Sequence, residues 1–246
     1  MKKWFTANGL VINSKKTQII PFHSNYSNTI HSDSSYLDEF GLSSNSTKFL
    51  GIRIDSRLTW REHIATLAQS LSRAYYMINT LSRAVDLDTL KLVYYGYVYS
   101  RLTFGIIFWG DSVDCSTIFR IQKKIVRAIV KKNHFKTPCI PIFKTLNILP
   151  LACIYIFKIL IYMKNNPTLF ENLNNSQIYN TRTNDLFYPI HRTAQFEQTP
   201  LYAAVRVFNK LPAHIKTVVC FRDFKRKLLG YLRENCFYTI NEYLNS

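Results

Sequence analysis

Across 246 residues no two aspartates are adjacent and no two cysteines stand at C-x-x-C spacing. Metal-assisted phosphoryl transfer needs carboxylates that converge on two cations about 3.5–4 Å apart. The nine aspartates are scattered, and the nearest pair, Asp86 and Asp88, sits at a predicted helix start, where capping accounts for both. The cysteines are five, an odd number, so neither a disulfide framework nor a zinc knuckle is built from them. They suit a reducing compartment. There is no G-x-x-x-x-G-K-[ST] loop, no G-x-G-x-x-G and no H-E-x-x-H, and the six histidines are dispersed. No cofactor is therefore expected on this chain. Long apolar runs are also missing. The longest, "ILPLACIYIFKILIYM", carries Pro150 and Lys158 and falls short of the roughly 20 residues a membrane span needs, so it reads as a buried helix. "MKKWFTANGLVIN" has a polar break and no apolar core, unlike a secretory signal.

Acidic residues are scarce, and basic ones are not. Thirty-two Lys and Arg against fifteen Asp and Glu leave +17, a balance that favours a polyanionic partner. At 47% apolar and 15% aromatic the chain has a globular composition, and its length suits one large domain or two small ones. The excess is concentrated. From Cys115 to Phe170 there is no Asp or Glu at all, and the same stretch holds ten Lys and Arg.

Periodicity divides the chain. Residues 1–57 read as mostly β: "GLVIN", "TQIIPF" and "KFLGIRI" are strand candidates, with a Ser- and Asn-rich loop between the last two and Gly51 marking a bulge or a close backbone approach. Residues 58–165 read as helical. Thr59 and Glu62 have capping-box spacing, and Ile64, Leu67, Leu71, Tyr75, Ile78 and Leu81 form one helix face. Aromatics around the whole circumference of 88–104 predict a buried helix. A further helix from about Thr117 to Lys131 carries Ile118, Ile121, Ile125, Ala128 and Ile129 on one side. On its other side Arg120, Lys124, Arg127 and Lys131 recur at four, three and four, flanked by Lys123 and Lys132. A cationic stripe backed by isoleucines, in a stretch without acids, is suited to a phosphate backbone. Residues 166–185 are Asn-rich and read as a linker. Residues 186–246 read as a small basic C-terminal region, in which "FRDFKRKLLGYLREN" predicts an amphipathic helix through Phe221, Phe224, Leu228 and Leu232. That helix shows a second cluster, Arg222, Lys225, Arg226 and Lys227.

The order of these blocks resembles a specific family. "WFTANGLVINSKKTQIIPF", "KFLGIRIDSRLTWREHI", "LSRAYYMINTL", "YYGYVYSRLTFGIIFWG", "IFRIQKKIVRAI" and "ILPL" are similar to the C-terminal half of reverse transcriptases from non-LTR, LINE-like retrotransposons of the jockey type. The tail "HRTAQFEQTPLYAAVRVFNKLPAHIK" is similar to the end of the same reading frames. The resemblance implies an α+β fold: short N-terminal β-hairpins from the end of a polymerase palm, then a mainly helical thumb-like bundle and a small C-terminal helical unit. It implies a primer grip at Phe49, Leu50, Gly51 and Ile52, and an accessory role in pyrophosphate departure for Lys16, or for its neighbour Lys15.

It also implies partners: an RNA template, an RNA–DNA or DNA duplex, and an upstream polymerase portion, with no membrane. The aromatic-Ala-Asp-Asp motif of such enzymes would lie just before the block that opens this chain. The expectation is thus a C-terminal portion of an RNA-directed DNA polymerase that binds primer–template and is inactive alone. The Mg²⁺ requirement would belong to the intact parent, and the compartment would be intracellular, nucleus or cytoplasm. The alternative is a non-catalytic basic helical protein derived from such an element, acting by nucleic-acid binding or by interaction.

Overall fold

In the computed structural model the residues described are 2–11, 13, 17–22, 45–131, 138–174 and 185–246. Among them the chain is mostly helical, with one two-stranded antiparallel sheet, and it divides into two compact units, Met1–Ala65 and Thr66–Ser246.

In the first unit the opening residues are helical, not extended. Lys2–Ala7 form α1, closed by Gly9 at φ 66° and by the Leu10 N–H donating to the Phe5 carbonyl at 2.9 Å. The described parts of "GLVIN" and "TQIIPF" are not strands; Ile19 alone makes a β-bridge. A run of Val and Ile becomes a strand only where a partner offers pairing and a face to pack on, and Val11 is almost wholly exposed. The predicted third strand does form, as a hairpin: β1 (Ser46–Phe49) pairs with β2 (Ile52–Asp55) in the register Ser46–Asp55, Thr47–Ile54, Lys48–Arg53, Phe49–Ile52. The long helix α2, Arg61–Leu81, begins in this unit and belongs from Thr66 onward to the second; its buried ridge is Ile64, Leu67, Leu71, Ala74 and Ile78. Tyr75 and Leu81, expected on that ridge, are only half-buried.

The second unit is built around the apolar run. Helix α8, Leu151–Asn165, starts directly after Pro150 and buries ten of its residues, among them Tyr155, Phe157 and Leu160. Around it pack α4 (Ser100–Thr103), α5 (Ile106–Trp109), α6 (Cys115–Ile129), α9 (Pro167–Asn174), α10 (Pro200–Asn209), α12 (Phe221–Asn235) and α13 (Ile240–Leu244). Two short helices, α7 (Cys139–Leu146) and α11 (Ala213–Lys216), and α3, Leu87–Val93, also belong to the unit.

The helices beyond 166–185 lie on the same central helix as those before it. Residues 175–184 are outside the described residues. Asp185 pairs with Lys216 at 2.5 Å, and Asn209 exchanges two 2.8 Å hydrogen bonds with the backbone of Leu186. The buried Tyr243 hydroxyl donates to the Val207 carbonyl at 2.8 Å. Helix α10 begins with Thr199 accepting the Tyr202 N–H and Pro200 in the first turn.

The segment 88–104 departs from a plain buried helix. Between α3 and α4 the chain winds as a π-helix, Tyr94–Tyr99, in which the Ser100 N–H donates to Tyr95 and the Ser100 hydroxyl takes up the Gly96 carbonyl at 2.7 Å. Leu90, Tyr94, Val98 and Leu102 are buried, while Leu92, Tyr95 and Phe104 are exposed. The buried Gln122 amide donates at 2.9 Å both to the Tyr94 hydroxyl and to the Leu149 carbonyl, tying this turn to α6. Burial drives the Tyr94 pKa well up, so its hydroxyl stays neutral.

No single helix among the described residues is long and apolar enough to cross a membrane. The bent pair α7 and α8, at 48°, reaches that length only together, and α8 lies buried within the unit.

Candidate nucleic-acid interface

The hairpin of the first unit turns on two residues, Leu50 at φ 47° and Gly51 at φ 90°. Left-handed conformations at both central positions match the twist of the flanking strands. Gly51 is thus a turn residue, where a Cβ would be strained, and no bulge is needed to explain it. Leu50 adopts the same region despite its bulk, a local cost that the paired strands sustain. The result is a rigid tip with Phe49 59% and Leu50 80% exposed and Ile52 half-buried. Lys48 lies opposite Arg53 across the strands. Like charges facing each other are unfavourable unless an anion intervenes; Glu62 takes Arg53 at 3.6 Å, and Lys48 remains exposed.

What aims this tip is a joint that the sequence reading overlooked. Asp55, the last residue of β2, accepts the Thr59 N–H at 2.9 Å, the Thr59 hydroxyl at 2.9 Å and the Trp60 N–H at 2.8 Å. The expected capping box does not form as such. The Thr59 hydroxyl goes to Asp55, while Glu62 accepts from Ser46 at 2.7 Å. The signal was an aspartate closing a strand four residues before a threonine at a helix start. His63 completes the joint, its Nδ1 accepting the Arg53 N–H at 3.5 Å.

Burial pushes the Asp55 carboxyl up, but the hydrogen bonds from Thr59 and Trp60 outweigh it, so its pKa lies below the ordinary 3.8. Burial holds His63 below its ordinary 6.5. Both folded values lie under the unfolded ones, so the unfolded chain binds protons first. The joint's contribution is complete above about pH 6.5. It falls as acid passes through the His63 value, and again below 3.8 as Asp55 protonates. His191 has the opposite sign. The Pro189 carbonyl and Glu197 raise its pKa, so its contribution is present below 6.5 and is lost as pH rises through the folded value. NMR titration of the imidazoles should give a His63 midpoint below 6.5 and a His191 midpoint above it; the reverse order would contradict the two environments.

In the second unit α6 carries the predicted stripe. Ile118, Ile125, Ala128 and Ile129 are buried, and Arg120 and Lys124 are exposed. The stripe is not uniform. Lys123 folds over the rings of Phe119 and Tyr238, its ammonium 4.8 and 5.6 Å from their centroids. Arg127, half-buried, hydrogen-bonds the Cys139 thiol; burial raises that thiol's pKa and the charges of Arg127 and Lys123 act against the rise. The helix ends at Ile129, so Lys131 stands beyond it, exposed, at φ 58°. This left-handed position closes many helices. Lys132 and the accessory candidates Lys15 and Lys16 lie outside the described residues. On α12, Arg222, Lys225, Arg226 and Lys227 are all exposed, and Arg226 pairs with Asp223 at 2.9 Å. Phe224, Leu228 and Leu232 are buried as predicted, whereas Phe221 is 42% exposed.

Among the described residues no three His, Cys, Asp or Glu side chains converge as a metal ion would require. The described residues do not fit the cation site of a polymerase centre. Of the other thiols, Cys220 is exposed and Cys236 is buried. Burial takes Cys115 up to about 11, and Cys153 sits deep in the core. What the arrangement offers is binding: exposed cations on two helices, and an apolar, rigidly braced hairpin tip. No protein-family model, no curated protein and no solved structure matches the chain.

Proposed function

We propose that the chain is the primer-holding and thumb-like portion of a non-LTR retrotransposon reverse transcriptase, binding primer–template without itself polymerising. The observation that carries this reading is the α6 face, where Arg120 and Lys124 stand exposed in a stretch, 115–170, that contains no acid. A helix that serves only solubility mixes its signs; one that meets phosphates releases counterions with each cation it commits. The hairpin adds the primer end. Its apolar tip at Phe49 and Leu50 would lie against the terminal sugar, with the Lys48 ammonium at a phosphate. The second basic cluster on α12 adds charge without a fixed role.

The test is fluorescence anisotropy with a recessed primer on a template against a blunt duplex of equal length. The recessed end should bind more tightly. The paired substitution Phe49→Ser with Leu50→Ser should remove that preference and leave blunt binding intact. Equal affinity for both ends, or tighter binding to anionic vesicles than to either duplex, would overturn the reading.

A further inference from the structure

The π-helical turn carries a surface that packing does not explain. Tyr94 and Val98 serve the core, but Leu92, Tyr95 and Gly96 face outward, Leu92 at 73% and Tyr95 at 39% exposed. π-Helical turns are rare and cluster at functional sites. Here the turn fixes an aromatic ring in the open. Tyr95 lies edge-on to Tyr99, with centroids 5.4 Å apart, and its hydroxyl donates to the Asn147 carbonyl at 3.1 Å.

Gly96 is an independent observation. It is not among the residues with positive φ, and a Cβ placed on it would meet nothing within 4 Å. Neither backbone nor packing asks for glycine at this position, and glycine inside a helix is less favourable than alanine. Its effect is to keep a side-chain-free patch beside the two tyrosines, as suits a ligand that closes on the backbone.

Arg233 lies beside the two tyrosines, and Lys144 belongs to the helix that ends at the Asn147 anchor. Arg233 is exposed in the last turn of α12; burial raises the pKa of Tyr95 and Tyr99, and the positive charge of Arg233 acts against it on both. Lys144 is exposed in the last turn of α7, three residues before the Asn147 that anchors Tyr95. Neither charged group has a hydrogen-bond or ion-pair partner among the described residues. Glu234 is the one carboxylate in that turn of α12.

We propose that Tyr95, Gly96 and Tyr99, with Arg233 and Lys144, form a stacking site for an unpaired nucleotide of a single-stranded nucleic acid. The base lies on Tyr95 across the open patch at Gly96, and the cations take the adjoining phosphates. Aromatic faces combined with Arg bind single strands without requiring a particular sequence. The inference rests on the reading of the chain as a nucleic-acid binder, and it assigns the unpaired strand to a surface other than the α6 stripe.

The experiment compares one RNA–DNA duplex with and without a single-stranded template overhang, by anisotropy. The overhang should tighten binding to the wild-type chain. Tyr95→Leu and Gly96→Leu should each cut that gain roughly tenfold and leave affinity for the blunt duplex unchanged. Tyr95→Phe loses only the bond to Asn147 and should keep the gain. Gly96→Leu projects into open space from a helix, so its melting temperature should not fall, which separates lost binding from lost fold. If both leucine variants retain the full gain, the stacking site is overturned while duplex binding still supports the primer–template reading. If the wild-type chain binds neither substrate, both fail.

Discussion

Changing Arg120 and Lys124 together to glutamine should weaken binding to an RNA–DNA duplex on the order of 30-fold at moderate salt and flatten its salt dependence by about two counterions. Both side chains are exposed on the side of α6 away from Ile118, Ile125 and Ile129, so the fold should be nearly untouched, within about 0.5 kcal/mol. Lys123→Gln is the contrasting variant. Its ammonium rests over Phe119 and Tyr238 instead of reaching outward. Its loss should cost roughly 0.5–1 kcal/mol of stability and little affinity. Anisotropy titrations with parallel thermal melts read both. Equal losses of affinity at Lys123 and at the exposed pair would mean that the face is not divided in this way.

The second large effect is Gly110→Ala, expected to destabilise the second unit by about 3 kcal/mol. Gly110 follows α5 with an ordinary φ of −68°, so its backbone does not demand glycine; its surroundings do. A Cβ at that position would stand 2.3 Å from Cδ2 of Tyr155 and 2.6 Å from the Ile106 carbonyl oxygen. Tyr155 is buried in the central helix, and the Ile106 carbonyl already accepts the Gly110 N–H at 2.7 Å. A methyl there must push α5 off α8. A loss of that size is a large share of the stability of an ordinary domain. Gly230→Ala is the internal control. It lies inside α12, where a Cβ meets nothing within 4 Å, and there alanine should stabilise by up to about 1 kcal/mol. Urea midpoints moving in the same direction for the two variants would contradict the close approach of α5 to α8.

Much of the second unit could be read from residue pattern because its helices carry strong local signals. The run from Leu151 is apolar on every side, as a helix surrounded by others must be. The bounds Phe221–Asn235 follow from phenylalanine and leucine at helical spacing between breaks. What stayed hidden depends on distant partners. Among the described residues of "GLVIN" none lies in a strand, although the block carries β-formers, and the short helix Lys2–Ala7 precedes it. Arg127 lies on the stripe by periodicity and Lys123 flanks it, yet the rings of Phe119 and Tyr238 and the thiol of Cys139 draw them inward. The π-helix at Tyr94 defeats any reading that assumes 3.6 residues per turn. In the candidate interface the hairpin and the exposed cations were legible. The Asp55 joint was not, because Thr59 with Glu62 offered a simpler cap.

Binding of a nucleic-acid backbone through the exposed cations is the proposal on which the other expectations depend. Its most direct test is the affinity of the unmodified chain for an RNA–DNA duplex measured across salt concentrations. The logarithm of affinity should fall linearly with the logarithm of salt, with a slope of several units, roughly 0.7–0.9 per phosphate contacted. A slope near zero, or no measurable binding at low salt, would contradict it.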